Sequence, residues 1–359
     1  MSRCATAERF DATPAGTVGL EEELLLVDDR CWAPADRAVE VAGAVDDARV
    51  KPELPACQIE IATGVHTEIW RAVEELAGWR ARIAAACPAG VVPVAAAVHP
   101  TATEPMVLSR AARSAGLLGD YREPIRTQLV GSLQVHVAVG GADRTLAVYN
   151  ALRSVLPELA AVSAAAPFLG GRDTGLCSVR PVLATQLPRQ GVPPAIRSWQ
   201  GWEHDLQWIR PAGGMPAASV WWWELRPHIG YGTLELRVMD VQPDLARTGA
   251  LAALAHATVA DLAARYDAGE RWEPVDSWKI AENRWSALRD GLDGHLLDVV
   301  TGEPVPTRTR LHRLIDLVEP HAPAGLDGAR HAVEHTTAAC LRGVGLDGVL
   351  PWLADRFLA

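Results

Sequence analysis

The chain has 359 residues, 49% hydrophobic and 22% charged, with a formal net charge of −10. A chain of this length buries roughly three quarters of its unfolded surface, and its composition is that of an ordinary globular protein. No basic stripe is present, which argues against a nucleic-acid partner, and no apolar run approaches the ~18 residues of a membrane span.

Residues 1–16 lack the apolar segment of a leader peptide. The cysteines (Cys4, Cys31, Cys57, Cys87, Cys177 and Cys340) are scattered without a C-x-x-C pair. That spacing suits neither a zinc site nor a disulfide framework, and it fits a reducing compartment. The expectation is a cytoplasmic protein without a membrane partner. Lys51 and Lys279 are the only lysines, and the arginine and alanine excess reads as coding bias.

The first predicted strand is Thr17–Val27. Val18, Leu20, Leu24 and Leu26 share one face; Gly19, Glu21 and Glu23 share the other, as a period of two requires. Glu22 interrupts the apolar face, so it is expected to be paired or at an edge. Ala56–Thr63 places Ile59 and Ile61 inward and Gln58 and Glu60 outward. A helix is predicted over Thr67–Cys87, stopped by Pro88. Leu129–Val139 sets Leu133, Val135, Val137 and Val139 against Ser132, Gln134 and His136. Asp143 caps a second predicted helix through Leu156, checked by Pro157.

Residues 163–202 show no clear period, and a connection that long is usually functional or mobile. Within it, GGRDTG (170–175) lacks the lysine and hydroxyl of a Walker A loop and reads as a plain turn. The stretch 219–241 is the most informative. From Tyr231 to Val241 it alternates strictly, with Leu234, Leu236 and Val238 opposite Thr233, Glu235 and Arg237. Glu235 and Arg237 therefore stand roughly 7 Å apart on one face. Helices follow at about 249–268, 277–290 and from Thr307 onward.

Alternating strands separated by helices predict an α+β fold. Its antiparallel sheet is covered by helices on one face and open on the other. One domain spans 1–359, with 249–359 mainly helical. On the open face Glu21, Glu23, Glu60 and Glu235 crowd together with Gln134, His136 and Arg237. Two carboxylates ~4 Å apart repel by about 4 kcal/mol at an effective dielectric near 20. Protons, arginines or divalent cations must compensate. Oxygen-rich ligand sets suit Mg²⁺ or Mn²⁺, which also bind nucleotide phosphates, and an arginine among them suits a phosphoryl group in transfer.

The segments TVGLEEELLLVD (17–28), CQIEIATGVH (57–66), PFLGGRDTGLCSVRP (167–181), WWELRPHIGYGTLELRVMD (222–240) and ENRWSALRDGL (282–292) resemble, in order, the carboxylate–amine ligases related to type 2 glutamate–cysteine ligases. The resemblance implies a glutamine-synthetase-like sheet that binds Mg²⁺-ATP. It also implies activation of a glutamate γ-carboxylate as an acyl phosphate, then attack by an amine such as that of cysteine. Carried over, Glu21, Glu23, Glu60 and Glu235 match metal-binding carboxylates, and Arg237 matches the arginine that steadies the phosphoryl group. Arg180 and Arg226 fall where relatives hold substrate carboxylate, with Asp173 and Thr174 in the matching pocket loop.

Gln134-Val135-His136 departs from the His-x-His of several relatives. Gln134 is the expected metal ligand through its amide oxygen, with His136 as the rival. Other readings of the metal face are an amide hydrolase and a non-catalytic nucleotide- or amino-acid-binding relative. The acceptor, the general base and homo-oligomerisation stay open.

Overall fold

The computed structural model describes residues 4–110, 116–212, 221–322 and 325–359. Ser219 and Val220, at the head of the 219–241 stretch, lie outside the described residues, as do 323–324 in the C-terminal helical part. In chain order the strands are β1 (Val18–Asp28), β2 (Val50–Pro52), β3 (Gln58–Ala62), β4 (Val91–Val94), β5 (Ser132–Val137), the short β6 (Phe168–Leu169) and β7 (Arg172–Asp173), β8 (Leu225–His228) and β9 (Thr233–Asp240). One 7-stranded sheet runs β2-β3-β1-β5-β9-β8, and β4 pairs with the far end of β1. Every pairing in it is antiparallel. The predicted fold class holds.

All four predicted strands form, each trimmed or shifted by one to three residues at its ends. GGRDTG is the turn and second arm of the hairpin β6–β7, with Gly170 and Gly171 at positive φ. The predicted helix over 67–87 is Ile69–Ala86, and 277–290 forms as read. The one predicted over 143–156 ends at Leu152. After a 3-10 turn, a new helix, Leu156–Ser163, begins with Pro157 in its first turn, where a missing N–H costs nothing. The long helix starts at Leu245 rather than Gly249, because the Asp244 side chain accepts from Arg247 N at 2.8 Å.

The inward faces of β1, β3, β5 and β9 pack under the helices Ile69–Ala86, Ala142–Leu152, Leu156–Ser163 and Leu245–Asp267. Glu22 points into this layer and is paired, as expected: Arg80 reaches both of its oxygens, at 2.7 and 2.8 Å.

Two features depart from the sequence reading. β5 and β9 slip register, with Leu133 opposite Met239 but Val135 opposite Leu236. Gln134 of β5 thus faces two residues of β9, Arg237 and Val238, a bulge that ends the strict alternation expected through Val241. Beyond it, Met239 and Val241 are both buried in the main core, and Asp240 takes the Arg180 guanidinium at 2.6 Å.

The second face is also less bare than predicted. Leu25 and Val27 share their parity with Glu21 and Glu23, yet they are sealed with Val94 and Phe168 beneath the helices Thr337–Val344 and Val349–Arg356. The carboxylate half of that face borders a cavity, and there the 180–190 segment and Trp222 form part of the wall.

Candidate active site

Register brings the predicted residues together. Glu23 lies opposite Glu60 on β3, Glu21 opposite Gln134 on β5, and His136 opposite Glu235 on β9. Each side chain sits on the polar face of an antiparallel ladder, so neighbours on adjacent strands are forced within interaction range.

At one end of the cluster, Glu235 is 1% exposed and gripped by two arginines. Arg226 Nε donates to Oε2 at 2.6 Å, and Arg237 Nη1 donates to Oε1 at 2.5 Å. Burial pushes the Glu235 carboxyl upward, but the charges of Arg226 and Arg237 outweigh it and hold the group well below the usual carboxylate range. Arg237 Nη1 also donates to Gln134 Oε1 at 2.5 Å, and Nη2 approaches Glu23 Oε1 at 3.6 Å.

At the other end, Glu23 accepts from Ser132 N and Oγ, both at 2.8 Å, and from Gln134 Nε2 at 2.8 Å. Burial still raises its carboxyl, against the pull of Arg237 and with the help of Glu60. Glu60 accepts from Lys51 Nζ on the neighbouring β2 at 2.8 Å.

Glu53, one residue past the end of β2, completes this group and was missed from the sequence. Burial and the charges of Glu60 and Glu23 lift its carboxyl well above its ordinary value, and a hydrogen bond with Glu60 adds to the rise. Five carboxylates (Glu21, Glu23, Glu53, Glu60 and Glu235) therefore share their surroundings with three cations that approach them directly (Lys51, Arg226 and Arg237). The negative excess is the compensation problem anticipated from the sequence.

His136 bridges toward Glu21. Its Nδ1 pairs with Thr233 Oγ1 at 3.0 Å. Its Nε2 stands 3.4 Å from Glu21 Oε1, within ion-pair range but without hydrogen-bond geometry, and it has no hydrogen-bond partner. Burial lowers the affinity of the imidazole for a proton, but Glu21 and Glu235 more than reverse this. Glu21, in turn, is raised by burial and brought below its ordinary value chiefly by His136. Ligand atoms of Glu21, His136 and Glu235 all lie within 4.8 Å of one another. An orphaned buried nitrogen between two carboxylates is a fitting donor set for a divalent cation.

Gln134 is placed differently from its expected role. Its amide oxygen is taken by Arg237 and its nitrogen by Glu23, so it braces the arginine, and His136 Nε2 is the nitrogen left without a hydrogen-bond partner. Arg180 lines the cavity, yet its Nε is given to Asp240 and its Nη2 to Val238 O, both at 2.6 Å. Arg226 is likewise spent on Glu235 and, at 3.3 Å, on Trp221 O. Neither guanidinium is held ready for a substrate carboxylate in this geometry.

Asp173 and Thr174 do not reach the cavity. Asp173 pairs with Arg342 at 2.8 Å, and Thr174 Oγ1 donates to Pro167 O at 2.8 Å, because both belong to the β6–β7 hairpin outside the sheet.

Two cavities meet at Glu21 and Tyr231. One, of about 290 Å³, is lined by Glu23, Glu53, Glu60 and the arginines. The other, of about 410 Å³, lies beside Glu21 and His136 and has apolar walls that include Val18, Pro14 and Val65. Tyr231 stacks on His228 with ring centroids 4.3 Å apart at this junction.

The sequence matches Glutamate-cysteine ligase family 2 (GCS2) over residues 17–337. It is 34% identical to the Rubrobacter xylanophilus protein named "Putative glutamate--cysteine ligase 2-3", over 97% of this chain and 98% of that one. It is 30% identical to the Thermobifida fusca protein named "Putative glutamate--cysteine ligase 2", over 87% and 81%. Among solved structures, the fold is similar to glutamate–cysteine ligase from Francisella tularensis in complex with AMP. The TM-score is 0.72 at 13% identity, over 97% of this chain and 90% of that one. A bifunctional glutathione synthetase from Pasteurella multocida gives a TM-score of 0.67 at 14% identity, over 98% of this chain and 53% of that one. Matched along nearly its whole length, the chain belongs to glutamate–cysteine ligase family 2 and is a carboxylate–amine ligase that forms a C–N bond.

Proposed function

We propose that the protein is an ATP- and Mg²⁺-dependent γ-glutamyl ligase. A carboxylate does not condense with an amine at neutral pH, because oxide is a poor leaving group. Transfer of the ATP γ-phosphoryl group to the glutamate γ-carboxylate supplies a leaving group. An amine, cysteine by family, then displaces phosphate to form the amide. The observation that carries this reading is the cluster of Glu21, Glu23, Glu53, Glu60 and Glu235 threaded by Arg237.

Glu21, His136 and Glu235 would hold one cation, and Glu23, Glu53 and Glu60 a second. Bound Mg²⁺ supplies charge neutralisation on the nucleotide phosphates. The chain supplies the rest. Arg237, fixed by Glu235 and Gln134, presents a guanidinium to the phosphoryl oxygens in a geometry set before substrate arrives. The apolar cavity beside Glu21 and His136 suits a nucleoside base, and the acidic, arginine-bearing one suits an amino acid.

Incubation with L-glutamate, ATP, Mg²⁺ and a panel of amines, read by mass spectrometry, tests the proposal. The expected products are ADP, phosphate and a γ-linked amide. AMP and pyrophosphate would replace the acyl phosphate with an adenylate. Amide hydrolysis without ATP would replace the ligase reading altogether.

A further inference from the structure

Glu224 immediately precedes β8, on the same face as Arg226 and His228, and it borders the acidic cavity. Its carbonyl accepts from Arg237 N at 2.8 Å, which sets the two residues side by side across neighbouring strands. The side chain is 6% exposed. Arg284, from the ENRW segment of helix Ser277–Asp290, donates from Nε to Oε1 at 2.6 Å, and its Nη2 lies 2.6 Å from the same oxygen. Arg284 is itself anchored by Pro181 O at 3.1 Å.

Both contacts fall on one oxygen, and Oε2 is left buried without a hydrogen bond. The other buried carboxylate oxygen in that condition among the described residues is Glu158 Oε2. It belongs to a pair with Arg310 and does not line this cavity.

A buried ionised oxygen without a donor is costly, and a ligand that supplies one gains correspondingly. The rest of the cavity narrows the ligand. Arg237 and the metal carboxylates deal with phosphoryl and metal-bound groups, but an amino acid also brings an ammonium, which must find an acceptor. Glu23 and Glu235 already have donors on both oxygens, and Glu53 and Glu60 belong to the proposed cation position beside Glu23.

We infer that Glu224 is the specificity residue that receives the α-ammonium of the glutamate substrate, with Arg284 as the positioning residue that aims its free oxygen. This inference rests on the γ-glutamyl ligase reading. Glu224 and Arg237 border the same cavity from paired positions on neighbouring strands. An ammonium at Glu224 leaves the γ-carboxyl to reach toward Arg237, where phosphoryl transfer is expected.

The test compares L-glutamate with glutarate, which keeps both carboxylates and lacks the ammonium. Glu224→Gln preserves the bond to Arg284 and removes the charge. For glutamate, kcat/KM should fall roughly tenfold to a hundredfold, mostly through KM. For glutarate, a poorer substrate of the parent enzyme, the substitution should change kcat/KM less than about twofold. Arg284→Lys should raise KM for glutamate with the same selectivity and a smaller factor. Equal losses on both substrates, or an unchanged KM for glutamate, would overturn the assignment. A parent enzyme that ignores glutamate but consumes ATP with another amino acid would instead overturn the glutamate reading. The same comparison, run on that amino acid and its des-amino analogue, would then decide the role of Glu224.

Discussion

Arg237 Nη1 lies 2.5 Å from Gln134 Oε1 and 2.5 Å from Glu235 Oε1, so one guanidinium nitrogen ties β5 to β9 across the bulge. The amide oxygen that could have ligated a metal is thereby committed to an arginine. The nitrogen left open is His136 Nε2. His136→Leu should abolish the rise in melting temperature that Mg²⁺ and a non-hydrolysable ATP analogue produce. Gln134→Leu should keep most of that rise and lose turnover, because it frees Arg237 to swing. The reverse ranking would return the ligand role to Gln134.

Glu235→Gln tests the same centre from the carboxylate side. At a hundred times its dissociation constant a ligand adds about 2.7 kcal/mol of stability. The variant should forfeit most of that gain, since it removes a charge facing both His136 and the proposed metal position. Glu235 also has a strongly depressed carboxyl. Its stabilising contribution is present above the unfolded carboxylate range and disappears as pH falls toward the folded value. Glu235→Gln should therefore flatten the acid limb of the stability profile, measured by urea unfolding at successive pH values. An unaltered limb would mean that other carboxylates control it.

The opposite sign holds at Glu53 and Glu23. Both are raised in the folded protein, by burial and by neighbouring carboxylates. Between the unfolded and folded values the native state holds protons that the unfolded chain has released, so metal-free stability falls as pH rises through that window. Mg²⁺ must expel those protons to bind. With EDTA the melting temperature should decline above the ordinary carboxylate range, and with Mg²⁺ the decline should disappear. Calorimetry in two buffers of different ionisation heat should show proton release on Mg²⁺ binding, reduced in Glu53→Gln. Binding without proton release would show that these groups are already ionised.

Much of this site was legible because period two is a strong signal. Glu21, Glu23, Glu60, Gln134, His136, Glu235 and Arg237 were all assigned to one face, and the register confirms their adjacency. The sheet strands that were missed, β2, β4 and β8, are short, each with a proline (Pro52, Pro93 and Pro227), and β2 and β8 lie at its edges. Three or four residues give no period to count, and proline argues against a central strand while remaining compatible with an edge.

Missing β2 meant missing Glu53. Lys51, one of two lysines in the chain, pairs with Glu60, a role that composition alone does not reveal. On β8, the alternation of Glu224, Arg226 and His228 with Leu225 and Pro227 was available and unused. Asp173 and Thr174 were misplaced for another reason: similarity in a loop fixes its neighbours in sequence, and only the fold shows that its hairpin pairs with Arg342 instead.

Glu22 and Arg80 give the last prediction, one of stability. Both side chains are fully buried. Every Arg80 donor is used: Nε and Nη2 on Glu22, Nη2 also on Gln242 O at 3.0 Å, and Nη1 on Phe357 O at 3.0 Å and Pro243 O at 3.3 Å. Thr248 Oγ1 adds a donor to Glu22 Oε1 at 2.8 Å. One guanidinium thus joins β1, the segment after β9 and the C-terminal helix beneath the catalytic sheet. Removing either partner strands a charge where water cannot follow, at a cost of about 3–5 kcal/mol. Glu22→Leu and Arg80→Leu should each show that loss in urea unfolding. The double variant should be destabilised by less than the sum, with a coupling of about 1–3 kcal/mol, because it strands no charge. Strictly additive losses would mean that the three carbonyls, rather than Glu22, are what Arg80 is buried to satisfy. Whatever the coupling, the folded fraction of each variant should bind Mg²⁺ and nucleotide as the parent does, since Glu22 points away from the face that carries Glu21 and Glu23.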